Sequence, residues 1–355
     1  MNEKLNVVVV FGGKSGEHEV SLMSATNIIN AMDKGKYNIY MIGITKQGKW
    51  MAYKGDVNKI IDGSWEEKAA GLDREETINL LFSGLFNDGV KSRVDVVFPV
   101  LHGPNGEDGT IQGLFEILGI PYVGSGVMAS ALGMDKDFSK QLFRRAGLPV
   151  GDYTVMLKAD INRDMASAVS TIEGKFNYPV FVKPANMGSS VGITKAHNRD
   201  ELVRGLTEAC RYDRKVLVEK NVNCRELECS VLGNNNPVAS GIGEIIPSKE
   251  FYDYEAKYFD DGKSVLVIPA ELPDSKIQEI REIAVKAYKS LDCCGMARVD
   301  FFLEKGTEKI YINELNTIPG FTKISMYPKL WDAAGISYSK LIDRLIELAI
   351  ERHNE

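Results

Sequence analysis

Ala297–Leu303 (ARVDFFL) and Ile310–Asn316 (IYINELN) are two alternating runs separated by the turn-like Glu304–Glu308 (EKGTE), a pattern that predicts a β-hairpin. Side chains switch faces at each strand residue, so Arg298 and Asp300 share one face of the first strand and Glu314 and Asn316 one face of the second. The opposite face reads as apolar or tyrosine. One arginine, two carboxylates and an amide, with no His or Cys beside them, make an all-oxygen donor set of the kind that hard cations such as Mg²⁺ select, and one carboxylate can bridge two of them. A solvent-facing, salt-bridged hairpin carries the same pattern. The segment adjoining the second strand favours the metal reading. In Thr317–Pro328 (TIPGFTKISMYP), Pro319 and Gly320 break the strand and leave backbone N–H groups next to the arginine and the acids, a suitable place to stabilise negative charge on a phosphoryl group or a tetrahedral centre.

The chain of 355 residues has room for two or three domains with real cores. Its 44% hydrophobic and 26% charged content is ordinary for a globular protein, and a net charge of −6 without a Lys/Arg block argues against a nucleic-acid surface. The five cysteines (Cys210, Cys224, Cys229, Cys293, Cys294) show no CxxC spacing and read as idle thiols of a reducing compartment. The start runs directly into a strand without a signal-peptide core, and no apolar stretch reaches the ~20 residues of a membrane span. A cytoplasmic protein is expected, with no membrane partner.

Towards the N-terminus, Leu5–Phe11 is a continuous apolar strand that ends at Gly12 and Gly13. A helix over Ser21–Ala31, strands over Tyr37–Ile44 and Val94–Pro99, a helix over Thr110–Leu118 and a strand ending at Gly124 succeed it in the rhythm of a doubly wound α/β domain. Ala129–Ala146 reads as one helix. Tyr178–Lys183 reads as a strand opening onto the small-residue loop Pro184–Gly192, where successive amides and the hydroxyls of Ser189 and Ser190 suit an anion and Lys183 puts a cation at the base. An ordinary Gly/Ser turn is the alternative. A helix over Asn198–Tyr212, a strand over Lys215–Glu219, β-runs from Glu226, a helix over Asp274–Leu291 and a last helix over Ser337–Arg352 complete the chain. Gly13-Lys14-Ser15 is not a Walker A motif, because Val8 stands where its first glycine belongs. Gly124-Ser125-Gly126 lacks the acidic partner of a dinucleotide fingerprint, and four scattered histidines make no zinc site.

Seven motifs occur in order: FGGKSGEHEVSL (Phe11–Leu22), LHGPNGEDGTIQG (Leu101–Gly113), MDKDFSK (Met134–Lys140), VKPANMGSSVG (Val182–Gly192), YDYEAKY (Tyr252–Tyr258), ARVDFF (Ala297–Phe302) and NELNTIPGFTKISMYP (Asn313–Pro328). Together they closely resemble the D-alanine–D-alanine ligases of the ATP-grasp superfamily, from about Val7 to the last helix. The resemblance implies a mixed α/β and α+β protein: an N-terminal substrate-binding α/β domain (residues 1–127), then a two-part ATP-grasp fold (residues 128–214 and 215–355). It implies that Asp300, Glu314 and Asn316 hold two Mg²⁺ ions, for which Mn²⁺ substitutes, on the phosphates of ATP. Lys136, Lys183, Ser190 and Lys257 would contact the nucleotide, Glu219, Lys220 and Val222 the adenine, and Glu226 the ribose. Glu17, Ser189 and Tyr258 resemble a hydrogen-bonded trio that locks a mobile loop. Glu17 would face the ammonium of the first D-alanine, and His102 and Arg298 its carboxylate. Ser325 and Met326 would hold the second D-alanine, with Arg298 and Gly320 on the oxyanion.

The same motifs occur in D-alanine–D-serine and D-alanine–D-lactate ligases. Tyr258 and Met326 look like the D-alanine–D-alanine form, whereas Met41–Trp50 (MIGITKQGKW) also occurs among the resistance-type relatives. A non-catalytic nucleotide-binding α/β protein is the distant alternative, and it leaves Asp300, Glu314 and Asn316 unexplained. The resemblance suggests a homodimer through the N-terminal domain. A monovalent cation is a further candidate cofactor.

Overall fold

A computed structural model describes residues 4–71, 94–247 and 264–355. Its N-terminal sheet grows from β1 (Leu5–Gly12), which is apolar on both faces because both are covered. β1 pairs in parallel with β2 (Tyr37–Ile44) and β5 (Val96–Val100), and β3 (Trp50–Tyr53) and β4 (Ala70–Gly71) extend the β2 edge antiparallel, in the order β4-β3-β2-β1-β5. Val7, Val9 and Phe11 pack under the helices His18–Ala31 and Tyr338–His353, whereas Val8 and Val10 pack against Thr110–Leu118. The last helix of the chain therefore completes the first core. Lys36 and Tyr37 reinforce that contact by binding Asp343 at 2.6 and 2.7 Å.

Two local expectations change. The strand expected to end at Gly124 is reduced to one parallel bridge, Val97 to Tyr122, because Pro121 has no N–H to extend the ladder. The single helix expected over Ala129–Ala146 is two, Val127–Met134 and Lys136–Arg145. Asp135 turns out of helical geometry between them and its carboxylate accepts from Asp137 and Phe138 N–H at 3.0 and 3.1 Å, an N-cap that restarts the helix.

The central sheet has the order β6-β9-β7-β8, with β6 Tyr153–Leu157, β7 Val180–Pro184, β8 Thr194–Ala196 and β9 Lys215–Lys220, covered by the helices Met165–Glu173 and Arg199–Tyr212. β9 lies beyond residue 214 in sequence yet hydrogen-bonds β6 and β7. The C-terminal sheet is antiparallel, β12-β11-β10-β13-β14, with β10 Cys224–Leu232, β11 Val238–Ile246, β12 Val265–Val267, β13 Met296–Glu304 and β14 Ile310–Asn316. Its buried face packs on the helices Asp274–Ser290 and Lys136–Arg145.

The β13–β14 hairpin forms with one irregularity. Asp300 faces Glu314, but Phe301 faces Ile312, so Asn313 is an extra residue in β14. Strict alternation would put Ile310 and Ile312 on the face of Glu314. The bulge resolves that conflict: Ile310, Ile312 and Leu315 enter the core together, and Glu314 and Asn316 stay opposite Asp300 and Arg298.

Candidate active site

Two adjoining cavities lie where the three sheets meet, and Glu314 and Glu228 line both. The smaller, about 80 Å³, is bounded by Glu17, His102, Ser189, Arg298, Gly320, Ser325 and Met326. The larger, about 520 Å³, is bounded by Lys183, Ser190, Glu219, Lys220, Val222, Glu226 and Asp300. Lys136 borders neither cavity, but its Nζ stands 3.4 Å from Glu314 Oε2 and donates to Met187 O at 2.7 Å. Lys257 and Tyr258 lie outside the described residues, as does the loop around them.

In the small cavity, Glu17 follows β1, and His102 and Glu107 follow β5, the strand-end positions where parallel sheets place ligand-binding groups. Ser189 Oγ donates to Glu17 Oε1, which ties the central loop to the N-terminal sheet. Gly103 and Gly188 allow that approach: a Cβ on either would lie 2.4 or 2.6 Å from Glu17 Oε2. Ser189 and Ser190 hold the loop with left-handed φ values of 47° and 62°. His102 contacts Ile318 O through Nδ1 at 3.1 Å and Ser24 Oγ through Nε2 at 3.2 Å. Burial lowers its pKa to about 4, with the Arg298 charge adding to the effect, so the ring is neutral at pH 7. Ser325 Oγ accepts from Thr322 N at 2.9 Å beside Gly320.

Glu107 was not singled out from the sequence. Its two oxygens accept from Gly103 N at 2.7 Å and Ile318 N at 3.3 Å. Burial, then the neighbouring Glu17, raises its pKa to about 8. Its place within GEDG was visible, but its raised pKa comes first from burial and then from Glu17, ninety residues away in the chain.

The wall between the cavities is charged. Arg298 forks onto Asp300 with two contacts of 2.7 Å, and its Nε is 2.9 Å from Glu228. Asn316 Nδ2 donates to Asp300 Oδ2 at 3.0 Å. Deeper in the large cavity, Glu219 lies between two lysines, 2.6 Å from Lys183 and 3.0 Å from Lys140. Burial alone would raise the Glu219 pKa, but the two ammonium groups outweigh it and bring it to about 2. The bulge residue Asn313 joins this set: its carbonyl accepts from Lys140 at 2.9 Å and its side-chain oxygen from Lys183 at 3.3 Å. Lys140 sits one helical turn from Lys136, a spacing that could have indicated it. Glu228 alternates with Glu226 on β10 and pairs with Asp300, and that parity was also readable.

Among the described residues, no group of three or more His, Cys, Asp or Glu makes a self-sufficient metal site. The donors available are the Asp300 and Glu314 carboxylates and the Asn316 amide oxygen. This set fits Mg²⁺, which commonly takes one or two carboxylates and completes its shell with phosphates and water. The cationic partners that Asp300 and Glu314 carry here show a site tuned to positive charge. No described helix is long and apolar enough to cross a membrane.

A family model described as D-ala D-ala ligase N-terminus matches residues 6–125, and one described as D-ala D-ala ligase C-terminus matches residues 142–347. A D-alanine–D-alanine ligase of Thermoanaerobacter sp. (strain X514) is 59% identical over 357 residues, covering 99% of this chain and 98% of its own. Among solved structures, the D-alanine–D-alanine ligase from Coxiella burnetii superposes with a TM-score of 0.84 at 38% identity, covering 99% of this chain and 95% of its own. The VanG D-Ala:D-Ser ligase from Enterococcus faecalis superposes with a TM-score of 0.84 at 38% identity, covering 98% and 100%.

Proposed function

The chain belongs to the D-alanine–D-alanine ligase family, and from that premise we propose that it joins two D-alanines to D-alanyl-D-alanine with conversion of ATP to ADP and phosphate, for peptidoglycan precursor synthesis. The observation that carries this reading is the meeting of an amino-acid-sized cavity and a nucleotide-sized cavity at Glu314.

The first D-alanine enters the small cavity with its ammonium towards Glu17 and its carboxylate towards Arg298, beside His102. A carboxylate oxygen attacks the γ-phosphorus, the bond to the β-phosphate oxygen breaks, and D-alanyl phosphate and ADP form. Such transfer depends on positioning and charge neutralisation, which Lys136, Lys183 and Arg298 provide. Two Mg²⁺ ions, or Mn²⁺ in their place, held by Asp300, Glu314 and Asn316 would screen the phosphate oxygens. Adenine lies along Glu219, Lys220 and Val222, with the ribose at Glu226 and the phosphates under Ser190. The second D-alanine, at Ser325 and Met326, attacks the acyl carbon through its neutral amine. The Gly320 N–H and Arg298 hold the oxyanion until phosphate leaves, taking up the proton that the attacking amine gives up. Keeping water from the acyl phosphate is the role that the family resemblance implies for Lys257 and Tyr258, with Glu17 and Ser189 as the residues it groups with Tyr258.

Three units support this chemistry, with boundaries near residue 127 and, given the pairing of β9, between Lys220 and Cys224 rather than at 214. The five free thiols support a cytoplasmic location. Exposed Ile117, Val127 and Met128, on neighbouring helices at the end of the first unit and the start of the second, support a homodimer, which sedimentation velocity tests. The functional test measures ADP release with and without D-alanine, then product masses with D-alanine, D-serine and D-lactate competing near neutral pH. D-alanine-dependent turnover and predominant dipeptide are expected. Predominant D-alanyl-D-serine or D-alanyl-D-lactate would assign the chain to the resistance-type reaction. A potassium titration in the same assay tests the monovalent cation.

A further inference from the structure

The loop Thr317–Phe321 comes from the C-terminal part of the chain, yet side chains of the N-terminal unit hold much of its backbone. Glu107 accepts from Ile318 N, and His102 binds Ile318 O. Ser24 Oγ accepts from Phe321 N at 3.2 Å, and Asn27 Nδ2 donates to Phe321 O at 3.3 Å. Tyr338 OH donates to the same carbonyl at 2.7 Å. Pro319 has no N–H. The Gly320 N–H meets no acceptor among the described residues, and Gly320 lines the small cavity.

The direction of each hydrogen bond follows from elementary chemistry. A carbonyl can only accept, so His102 Nδ1 carries the proton that meets Ile318 O. A neutral ring then has a lone pair on Nε2, so the Ser24 hydroxyl must donate there. That leaves the Ser24 oxygen lone pairs for Phe321 N–H. One buried hydroxyl thus orients His102 and anchors the far end of the loop, and the two attachment points, Ile318 and Phe321, flank Gly320.

We infer that Ser24 is a positioning residue for the ligation step: through His102 and the Phe321 amide it sets the loop so that the Gly320 N–H stays directed to the reacting carbonyl. Neither the family motifs nor the cavity lining singles it out, since Ser24 is wholly buried in the helix His18–Ala31 and borders neither cavity. The inference rests on the ligase reading, because the oxyanion exists only in that reaction. A donor displaced by about 1 Å loses on the order of 100-fold in rate, whereas ATP binding in the other cavity is untouched.

The test compares Ser24→Ala with wild type in two measurements. In steady-state kinetics, kcat for dipeptide formation falls about 10- to 100-fold while the KM for ATP stays within about two-fold. In hydrogen exchange followed by NMR, the Phe321 amide loses protection, while amides of β1 and of β9 keep theirs. An unchanged kcat overturns the inference, as does a parallel loss of kcat, ATP affinity and protection throughout β1 and β9. If wild type itself shows no D-alanine-dependent ADP release, the ligase reading fails instead. Ser24→Thr, which restores the hydroxyl, should recover most of the lost Phe321 protection; failure to recover it with β1 still protected also counts against the inference.

Discussion

The two cavities are held open by different physics. Opposing buried charges stand in or directly behind the walls of the large one: Glu219 between Lys140 and Lys183, Glu314 under Lys136, and Asp300 under Arg298. The wall of the small one nearest Gly320 is held by a serine, a neutral imidazole and a carboxyl whose pKa is raised, all bonded to a backbone loop. Charge suits a site for a polyanion, since a triphosphate and its cations can take over the ion pairs. Neutral hydrogen bonds suit the loop that carries the Gly320 N–H, because they fix its backbone without adding a further charge beside Arg298, which already serves the oxyanion.

The comparison breaks first, if at all, in the large cavity. Glu219→Gln leaves two buried ammonium groups without their counter-ion and should destabilise the protein by roughly 3–5 kcal/mol, measured by urea unfolding. A loss below about 1 kcal/mol, the range of an exposed pair, would mean that the charges are not structurally coupled. Glu314→Gln should keep the fold and lower kcat about 10²- to 10³-fold, because a neutral amide is a poor substitute where a metal and a phosphate meet. Near-wild-type turnover with Mg²⁺ would remove Glu314 from the site.

The small cavity should respond more to shape than to charge. A Cβ on Gly320 would stand 2.8 Å from Ser325 Oγ, so Gly320→Ala must displace either the loop or that hydroxyl. About a 100-fold loss of kcat is expected, with ATP affinity unchanged by calorimetry; equal loss of both would blur the division between the cavities. The mildest change concerns Glu107. Its folded pKa of about 8 exceeds the ordinary 4.5, so between those values the native chain keeps a proton that the unfolded chain releases. Stability from this group is greatest below pH 4.5 and declines as pH rises through 8. Glu107→Gln should flatten that decline, read as urea midpoints at pH 5 and pH 8. Identical slopes in the two proteins would mean that Glu107 is already ionised in the native state.

The sequence carried the hairpin and its polar face because alternation is a local property. It did not carry the bulge at Asn313, since counting by twos presumes an unbroken register, and the inserted residue is recognisable only when Ile312 and Glu314 are seen on opposite faces. Asp135 was hidden in a run of helix-compatible residues until its carboxylate was seen capping the next turn. Lys183 was legible from its strand and loop, whereas Lys140 becomes informative only once Glu219 lies between the two lysines. Ser24 looks like any small residue on a buried helix face. Its partners, His102 and Phe321, lie far along the chain, and no local pattern connects them.

The helix Tyr338–His353 has a bearing on the order in which the molecule can be finished. It supplies Leu341, Ile342, Leu345 and Ile346 to the face of β1 that carries Val7, Val9 and Phe11. On the ribosome, β1 emerges before the central and C-terminal sheets, and that helix emerges after both. The N-terminal unit must therefore wait with one apolar face covered only in part, by the helix His18–Ala31, while the rest of the chain is made, which is the condition under which nascent chains engage chaperones or each other. The central sheet closes within residues 153–220 and has no such delay. The N-terminal unit is begun before the central sheet and sealed after it.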